Sequence, residues 1–280
     1  MIIDAYAKIN LCLDVIGKYD NGYHKLRMIM QQIDLKDQIH IQQAAQFKLT
    51  SNRSDLETDE SNICYKAYQL LSEIYQPAQS VHIHIDKQIP MAAGMAGGST
   101  DAAAVLKGLN QLWALNLSET ELCALGVKLG ADVPYCIQGG VKLAEGIGEA
   151  LTPLEAKESY SILVLNSGVQ VSTKEVFQNY SLDKDTQPIA IQAAIEALAA
   201  GDTAGLAKSM GNKLELITLE KHPELKTYKE KLLDLGAFAA LMSGSGPTIF
   251  GLFQEKAKAQ AAAAYFQKQV SFVQVTQTLI

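Results

Sequence analysis

A glycine-rich segment between a predicted strand and a predicted helix constrains this fold more than any other feature. The segment spans residues 90–104 and contains three closely spaced glycines. Apolar and polar residues alternate over 81–86, which predicts a strand, and residues 102–113 have the pattern of a helix. Glycines let backbone N–H groups turn toward a ligand, and a helix N-terminus attracts anions. The segment therefore predicts a phosphate-binding loop, with a flexible connector as the alternative.

The glycine spacing differs from that of two well-known nucleotide loops. The glycines occupy positions 94, 97 and 98, which does not match Gly-x-Gly-x-x-Gly, and no Gly-Lys-Ser or Gly-Lys-Thr follows them. The segment is neither a dinucleotide-binding fingerprint nor a Walker A loop. Because glycine loops alone are weak signals, the function must be argued from further residues.

The chain around this loop predicts a mixed α/β domain. Over residues 5–15 the odd positions are apolar, so Lys8 and Asn10 share the other face of a strand. Ser118 followed by Glu121 is a capping-box signature. The remaining predicted elements are strands at 28–35 and 38–41, a helix over 62–75, and a helix from Ser118 that ends at Gly130.

The second half predicts a different architecture. The predicted order is a strand at 161–165, a mostly helical stretch over 173–235, strands near 239–242 and 248–253, a helix at 256–267 and a strand at 271–275. Without the extra helices this is β-α-β-β-α-β, the ferredoxin-like order. We therefore predict an α+β protein with an N-terminal mixed α/β domain at 1–155 and a C-terminal ferredoxin-like domain with extra helices at 156–280.

Composition excludes several classes of function. A length of 280 residues favours two domains, and a net charge of -6 argues against a nucleic-acid or anionic-membrane partner. The sequence shows no signal peptide and no run long enough to span a membrane, so we expect a cytoplasmic protein. Its four cysteines form no CxxC pair and predict reduced thiols. The oligomeric state is left open.

Lys8 and Asp132 are the candidate catalytic residues. Asp132 lies two residues after Gly130, at the predicted start of a short helix. Taken singly, Lys8 could be a surface lysine and Asp132 a helix N-cap. In a phosphoryl transferase a carboxylate can accept the proton of the acceptor hydroxyl while an ammonium group stabilises the developing negative charge.

A second glycine loop lies in the predicted C-terminal domain. Gly244 and Gly246 occur in Ser-Gly-Ser-Gly-Pro between two predicted strands. The segment could be a tight hairpin. Its small residues would also let the backbone approach a ligand.

Several motifs in one order resemble the GHMP kinase superfamily, named for galactose, homoserine, mevalonate and phosphomevalonate kinases. The resemblance covers nearly the whole chain. The motifs are Ala-Lys-Ile-Asn-Leu at 7–11, Asp-Asn-Gly-Tyr-His at 20–24, the loop at 89–104, Gly-Ala-Asp-Val-Pro at 130–134, Ala-Glu-Gly at 144–146, Gly-Asn-Lys-Leu-Glu at 211–215 and Gly-Ser-Gly at 244–246. Within the superfamily they resemble kinases of a cytidine-diphosphate alcohol in non-mevalonate isoprenoid synthesis.

This resemblance implies the site residues. Lys8 and Asp132 would be the catalytic pair. Substrate contacts would come from Asn10, Tyr23, His24, Phe177, Gly244 and Ser245, with Tyr180 as a rival to Phe177 for stacking on the base. ATP contacts would come from Asn62, Lys87, Pro90, Ala93, Gly94, Met95, Ala96, Gly97, Gly98, Ser99 and Thr100. Mg²⁺ would accompany ATP, touching Ser99 or Thr100.

Two positions depart from the family pattern, and two other functions stay open. Ala96 stands where many relatives have glycine and Thr100 where many have serine, so we expect weaker ATP binding at most. One alternative is a superfamily kinase of another small alcohol. The other is an ATP-binding relative without turnover.

Overall fold

The computed structural model describes residues 1–182 and 187–280, which form two compact units. The first unit consists of Met1–Ala7, Leu35–Met91 and Ala96–Gly139, and the second of Lys8–Asp34, Ala92–Met95 and Gly140–Ile280. Each unit is assembled from separate stretches of chain. The predicted domain boundary between residues 155 and 156 follows chain order and stays a prediction.

The first unit packs helices on a small mixed sheet. The first strands and helices of the chain are β1 (Ile2–Lys18), β2 (His24–Ala44), β3 (Lys48–Ser51), α1 (Ile63–Tyr75), β4 (Ser80–Asp86), α2 (Gly97–Leu112), α3 (Glu119–Gly126) and α4 (Val133–Gln138). Strands β1 and β2 each continue from one unit into the other. Within the first unit, β4 pairs antiparallel with β2 and parallel with β3.

Helix α2 begins five residues earlier than predicted, at Gly97 instead of Ala102. Ala96 has a φ of 59°, in the left-handed region, and the helix starts directly after it. The buried face of α2 packs against α1. Two glycines of the predicted loop therefore lie in the first turn of a helix, where N–H groups have no intrahelical acceptor.

The second unit contains the remaining strands and helices. They are β5 (Val141–Gly146), β6 (Ala150–Pro153), β7 (Ser161–Asn166), α5 (Thr173–Asn179), α6 (Ile191–Ala200), α7 (Thr203–Ser209), β8 (Gly211–Asn212), α8 (Glu215–Lys221), α9 (Pro223–Asp234), β9 (Ala239–Met242), β10 (Ile249–Phe253), α10 (Lys256–Phe266) and β11 (Phe272–Gln277). Strand β5 pairs antiparallel with the first part of β2 and with β6. The two residues of β8 pair in parallel with β1.

A four-stranded antiparallel sheet in the second unit confirms the ferredoxin-like prediction. Its strand order is β11-β7-β10-β9. Helices precede β9, and α10 connects β10 to β11, so the chain follows β-α-β-β-α-β with additional helices. The predicted α+β class is correct.

Other predictions differ in detail. The strands predicted at 28–35 and 38–41 are one continuous strand, β2. Strands β5 and β6 were not predicted, because both are short and carry polar residues. The stretch predicted as mostly helical is divided into separate helices by connections and by β8. None of the helices in residues 1–182 and 187–280 has the length and apolar character that crossing a bilayer requires.

Candidate active site

The glycine-rich segment has an unusual backbone before α2. Ala92, Gly94 and Ala96 have φ values of 49°, 71° and 59°. Only glycine adopts this region without a steric cost, which is about 1–2 kcal/mol for other residues. Ala96 therefore occupies a conformation that suits glycine, and its side chain carries this backbone cost in addition to the bulk of one methyl group. Ala93 and Met95 are buried, so contacts of this stretch with ATP would come from the backbone.

Ser99 and Thr100 lie in the first turn of α2 but face different surroundings. Thr100 is buried, and its Oγ1 donates to the backbone oxygen of Tyr6 at 2.8 Å. Ser99 is half-buried, and its Oγ lies 3.9 Å from the position that a Cβ on Gly130 would take. Ser99 therefore faces the turn before Asp132. Its hydroxyl is the better placed of the two for a phosphate or a metal ion.

A buried ionic cluster lies beneath the start of α2. The Nζ of Lys87 is 2.5 Å from Oδ2 of Asp37 and 2.6 Å from Oδ2 of Asp101. Oδ1 of Asp37 accepts the backbone N–H groups of Gln88 at 2.5 Å and Ile89 at 2.7 Å. The cluster thus joins β2 and α2 to the chain that enters the glycine segment.

Burial and charge act together on this cluster. Burial raises the pKa of Asp101 well above the usual range, against the attraction of Lys87, and the charge of Asp37 raises it further. Burial lowers the pKa of Lys87, but Asp101 and Asp37 raise it, and the net shift is upward. Because the ammonium group of Lys87 is held by two carboxyl groups, its predicted contact with adenosine stays a prediction.

Asn62, the other predicted adenosine contact, is the N-cap of α1. Its Oδ1 accepts the N–H of Cys64 at 2.8 Å, and its Nδ2 donates to the oxygen of Glu57 at 2.6 Å. The capping role accounts for an asparagine at this position without a ligand. Its contact with ATP is also untested.

Lys8 and Asn10 lie on one face of β1, as the sequence predicts. Both are buried, and the Nζ of Lys8 donates to Oδ1 of Asn10 at 2.8 Å. Nδ2 of Asn10 in turn lies 3.6 Å from the sulfur of Met28. The backbone N–H of Lys8 donates to the oxygen of Met95 at 3.2 Å, so β1 contacts the glycine-rich segment directly. Asn10 can orient the amine of Lys8.

Asp132 precedes α4 and belongs to the first unit, whereas Lys8 belongs to the second. It occupies the N-cap position, but its side chain makes no capping hydrogen bond there. Capping therefore does not explain this carboxylate. Its action together with Lys8 is treated below as a proposal.

The predicted base-binding aromatics meet at His24. The ring of Phe177 stacks on His24 with centroids 5.3 Å apart and an interplanar angle of 29°. Tyr180 meets the same ring edge-on at 6.0 Å and is buried. Burial lowers the pKa of His24, and the positive charge of Lys18 lowers it further. Tyr23, beside His24 in the chain, is 61% exposed.

The second glycine loop contacts the first within the second unit. Ser243 Oγ donates to the oxygen of Gly94 at 2.8 Å, and a Cβ on Gly94 would overlap the backbone oxygen of Ser243. Gly244 has a φ of 55°. Ser245 is buried, with its Oγ 2.7 Å from Oγ1 of Thr173. The predicted substrate contacts of Gly244 and Ser245 stay predictions.

Sequence reasoning missed three buried polar residues near these loops. Asp37 lies on an apolar strand face between Leu35 and Ile39, and this isolated carboxylate was a usable signal. Asp101, in an alanine-rich helix, gave a similar one. Asn212 belongs to a motif noted in the sequence but given no role. Within residues 1–182 and 187–280, no group of three or more His, Cys, Asp or Glu residues could hold a metal ion.

Comparisons with known proteins agree with this architecture. The family model described as GHMP kinases N terminal domain matches residues 62–140, and the one described as GHMP kinases C terminal matches 194–271. A 4-diphosphocytidyl-2-C-methyl-D-erythritol kinase of Lachnoclostridium phytofermentans is 48% identical over 262 residues, 93% of this chain and 90% of its own length. A kinase of the same name from Clostridium beijerinckii is 44% identical over 280 residues, 100% of both chains.

A solved structure extends the similarity to the fold. A crystal structure of 4-(cytidine 5'-diphospho)-2C-methyl-D-erythritol kinase has a TM-score of 0.86 and 31% identity, and the match covers 99% of each chain. The two matched domains define an ATP-dependent phosphotransferase. The chain belongs to the GHMP kinase family.

Proposed function

We propose that this kinase transfers the γ-phosphoryl group of ATP to the 2-hydroxyl of 4-diphosphocytidyl-2-C-methyl-D-erythritol. Support comes from full-length relatives of that name and from the aromatic corner formed by His24, Phe177 and Tyr180. The stack of Phe177 on His24 is the observation that favours a cytidine-containing substrate over a small alcohol. An aromatic surface can bind a base, and a small alcohol has none. Base–aromatic stacking contributes about 1–3 kcal/mol per base in nucleic-acid complexes.

The residues take the following roles in this proposal. The carboxylate of Asp132 accepts the proton of the attacking hydroxyl, a bond forms between that oxygen and the γ-phosphorus, and the bond from phosphorus to ADP breaks. Lys8, oriented by Asn10, stabilises the negative charge on the transferred group. The N-terminus of α2 with Gly97 and Gly98 holds the ATP phosphates.

We also propose that Mg²⁺ accompanies ATP. The ion would neutralise phosphate charge, and Mg²⁺ commonly keeps phosphate and water oxygens as most of its ligands, so it does not need the acidic cluster that residues 1–182 and 187–280 lack. Ser99 is favoured over Thr100 as the protein contact, because the Thr100 hydroxyl already donates to Tyr6. A cytoplasmic location is proposed because ATP is a substrate.

The test is ADP release from MgATP with a panel of acceptors. We expect the cytidine-diphosphate alcohol to be used far better than its cytidine-free alcohol, mevalonate or homoserine. Remote binding energy from the base orients the hydroxyl, so truncating the substrate should lower turnover as well as affinity. Equal efficiency on the truncated alcohol, or better activity on mevalonate, would favour the small-alcohol kinase. No ADP release with any acceptor would favour the non-catalytic relative.

A matched pair of variants tests the aromatic corner. Phe177→Leu should remove about a factor of ten or more of the preference for the cytidine compound, by the stacking energy above. Tyr75→Leu, at the exposed end of α1, is the control and should leave the preference unchanged. An unchanged preference in Phe177→Leu would remove this residue from the base site.

A further inference from the structure

Asn212 is a buried asparagine whose side chain bonds entirely to backbone groups. It is 6% exposed. Its Nδ2 donates to the oxygen of Met242 at 2.8 Å and to the oxygen of Gly244 at 2.7 Å. Its Oδ1 accepts the N–H of Leu214 at 3.0 Å. The side-chain oxygen and Nδ2 of Asn212 therefore both have partners, and the two bonds of Nδ2 hold the second glycine loop and the residue before it.

The backbone of Asn212 is fixed to the strand that carries Lys8. In β8 it pairs in parallel with Leu13 of β1, and the next N–H, from Lys213, donates to the oxygen of Leu13 at 2.9 Å. Asn212 thus connects β1 to the turn between β9 and β10. A strand of two residues contributes few hydrogen bonds to the sheet. The main effect of its pairing with β1 is therefore to position the side chain of Asn212.

The turn that Asn212 holds lies against the glycine-rich segment. A Cβ on Gly244 would come within 3.0 Å of the oxygen of Gly94. Ser243, next to it, donates its hydroxyl to the same oxygen at 2.8 Å. The orientation of the Gly94 peptide therefore depends on the second loop. That peptide lies three residues before the first turn of α2.

We propose that Asn212 is a positioning residue for phosphoryl transfer, which holds the second glycine loop so that Ser243 fixes the Gly94 peptide of the ATP loop. This inference rests on the proposed function for its catalytic consequence. Its effect on ATP binding does not depend on the identity of the acceptor.

The second glycine loop is also held by hydrogen bonds that do not involve Asn212. Glu215 accepts the N–H of Met242 at 2.8 Å, and Thr218 donates to the oxygen of Ser245 at 3.0 Å. These contacts keep the turn attached when Asn212 is truncated. Asn212→Ala should therefore change the local geometry of the loop, and the variant should still fold.

The experiment compares two asparagines of equal burial. Asn166 is also 6% exposed, and its amide donates to Oγ1 of Thr248 at 3.2 Å and accepts the N–H of Gly168 at 2.8 Å. It thus contacts the residue after the loop through a side chain and makes neither of the bonds to the oxygens of Met242 and Gly244 that Asn212 makes. Asn212→Ala should raise the Kd of MgATP, measured by calorimetry, by about tenfold, the scale of one or two lost hydrogen bonds. Asn166→Ala should lower the unfolding midpoint with the Kd unchanged. An unchanged Kd in Asn212→Ala, or an equal rise in both variants, would overturn the proposal.

Ser243→Ala tests the same chain of contacts from its other end. It should raise the Kd for MgATP, and combining it with Asn212→Ala should add little, since both act through the Gly94 peptide. Fully additive effects would sink the idea. No effect of Ser243→Ala alone would also sink it, and that outcome can be measured even if Asn212→Ala fails to fold. If wild type binds MgATP but does not phosphorylate the cytidine substrate, the proposed function fails while these binding comparisons still decide the role of Asn212.

Discussion

The amine of Lys8 donates a hydrogen bond to the side-chain oxygen of Asn10, 2.8 Å away and two positions along the same strand. Both residues are buried among the apolar side chains of β1. A buried amine is costly unless its donors are used. The bond to Asn10 uses one of the three donors of this amine, and in the proposed mechanism the others contact the transferred phosphoryl group.

Lys8→Met should reduce kcat about 100-fold or more, the scale on which a positioned charged group acts. Methionine retains much of the length of the side chain and removes a buried charge, so folding should be preserved. Rates of ADP release and the thermal unfolding midpoint check this. Lys36→Met is the control, because Lys36 is partly exposed and pairs with Asp4. A wild-type rate in Lys8→Met would exclude the catalytic role.

Asp132→Asn should also lower kcat about 100-fold or more while leaving stability unchanged. Stability should be unchanged because the side chain of Asp132 makes no capping hydrogen bond at α4. Ser118→Ala is the opposite control: it removes the capping box of α3 and should cost about 1 kcal/mol of stability with turnover retained. Urea unfolding and initial rates separate the two effects. A large loss of stability in Asp132→Asn would point to a structural carboxylate instead.

Gly98→Ala should weaken MgATP binding about tenfold or more without unfolding the protein. A Cβ on Gly98 would meet only Ile63, at an ordinary 3.5 Å, so the protein itself has room for the methyl group. A phosphate held by the first turn of α2 would not leave that room. Gly17→Ala, where the nearest atom belongs to Lys25 at 3.4 Å, is the matched control. Equal Kd values by calorimetry would reduce the segment to a connector.

The cytidine substrate should bind less well in acid because of His24. Its pKa is lowered by burial and by Lys18, so the folded state binds fewer protons than the unfolded state just below about pH 6.5. The contribution of His24 to stability is thus complete above that pH and declines as the pH falls toward its folded pKa. Protonation would also place a charge beside Phe177, so KM should rise over the same acidic range. A profile of KM against pH checks this, with the rise absent in His24→Asn and retained in His222→Asn.

Asp37→Asn should destabilise the protein by about 1–3 kcal/mol, since Lys87 keeps Asp101 as a partner but loses the charge of Asp37, and the N–H groups of Gln88 and Ile89 lose a charged acceptor. The double change with Lys87→Met should cost less than the sum of the single changes, because the two side chains share one contact. Urea denaturation measures both. Asp55→Asn, in an exposed surface pair with Arg53, should have no measurable effect.

The sequence predicted those parts of the site that local patterns encode. Lys8 and Asn10 share a face because a strand has a period of two. A helix after the glycines follows from the alanine-rich sequence, but its start at Gly97 was not predicted, because glycines are rarely helical. Asp37, Lys87 and Asp101 could not be grouped, because their cluster forms only when β2 packs on α2. The role of Asn212 required knowing which turn lies beside a two-residue strand. The sequence could not distinguish Phe177 from Tyr180, because the two differ in their ring geometry at His24, which three residues of spacing do not reveal.

The pairing of Leu13 with Asn212 joins residues that are synthesised far apart in time. With about 200 residues between them and translation at about 5–20 residues per second, the edge of the Lys8 strand waits roughly 10–40 s for its partner. During that interval Cys12 and Leu13, in a strand of mostly apolar residues, lack this partner, and an unpaired strand edge is the kind of surface that pairs with other chains. The emerging chain would therefore depend on chaperones most before residue 212 leaves the ribosome.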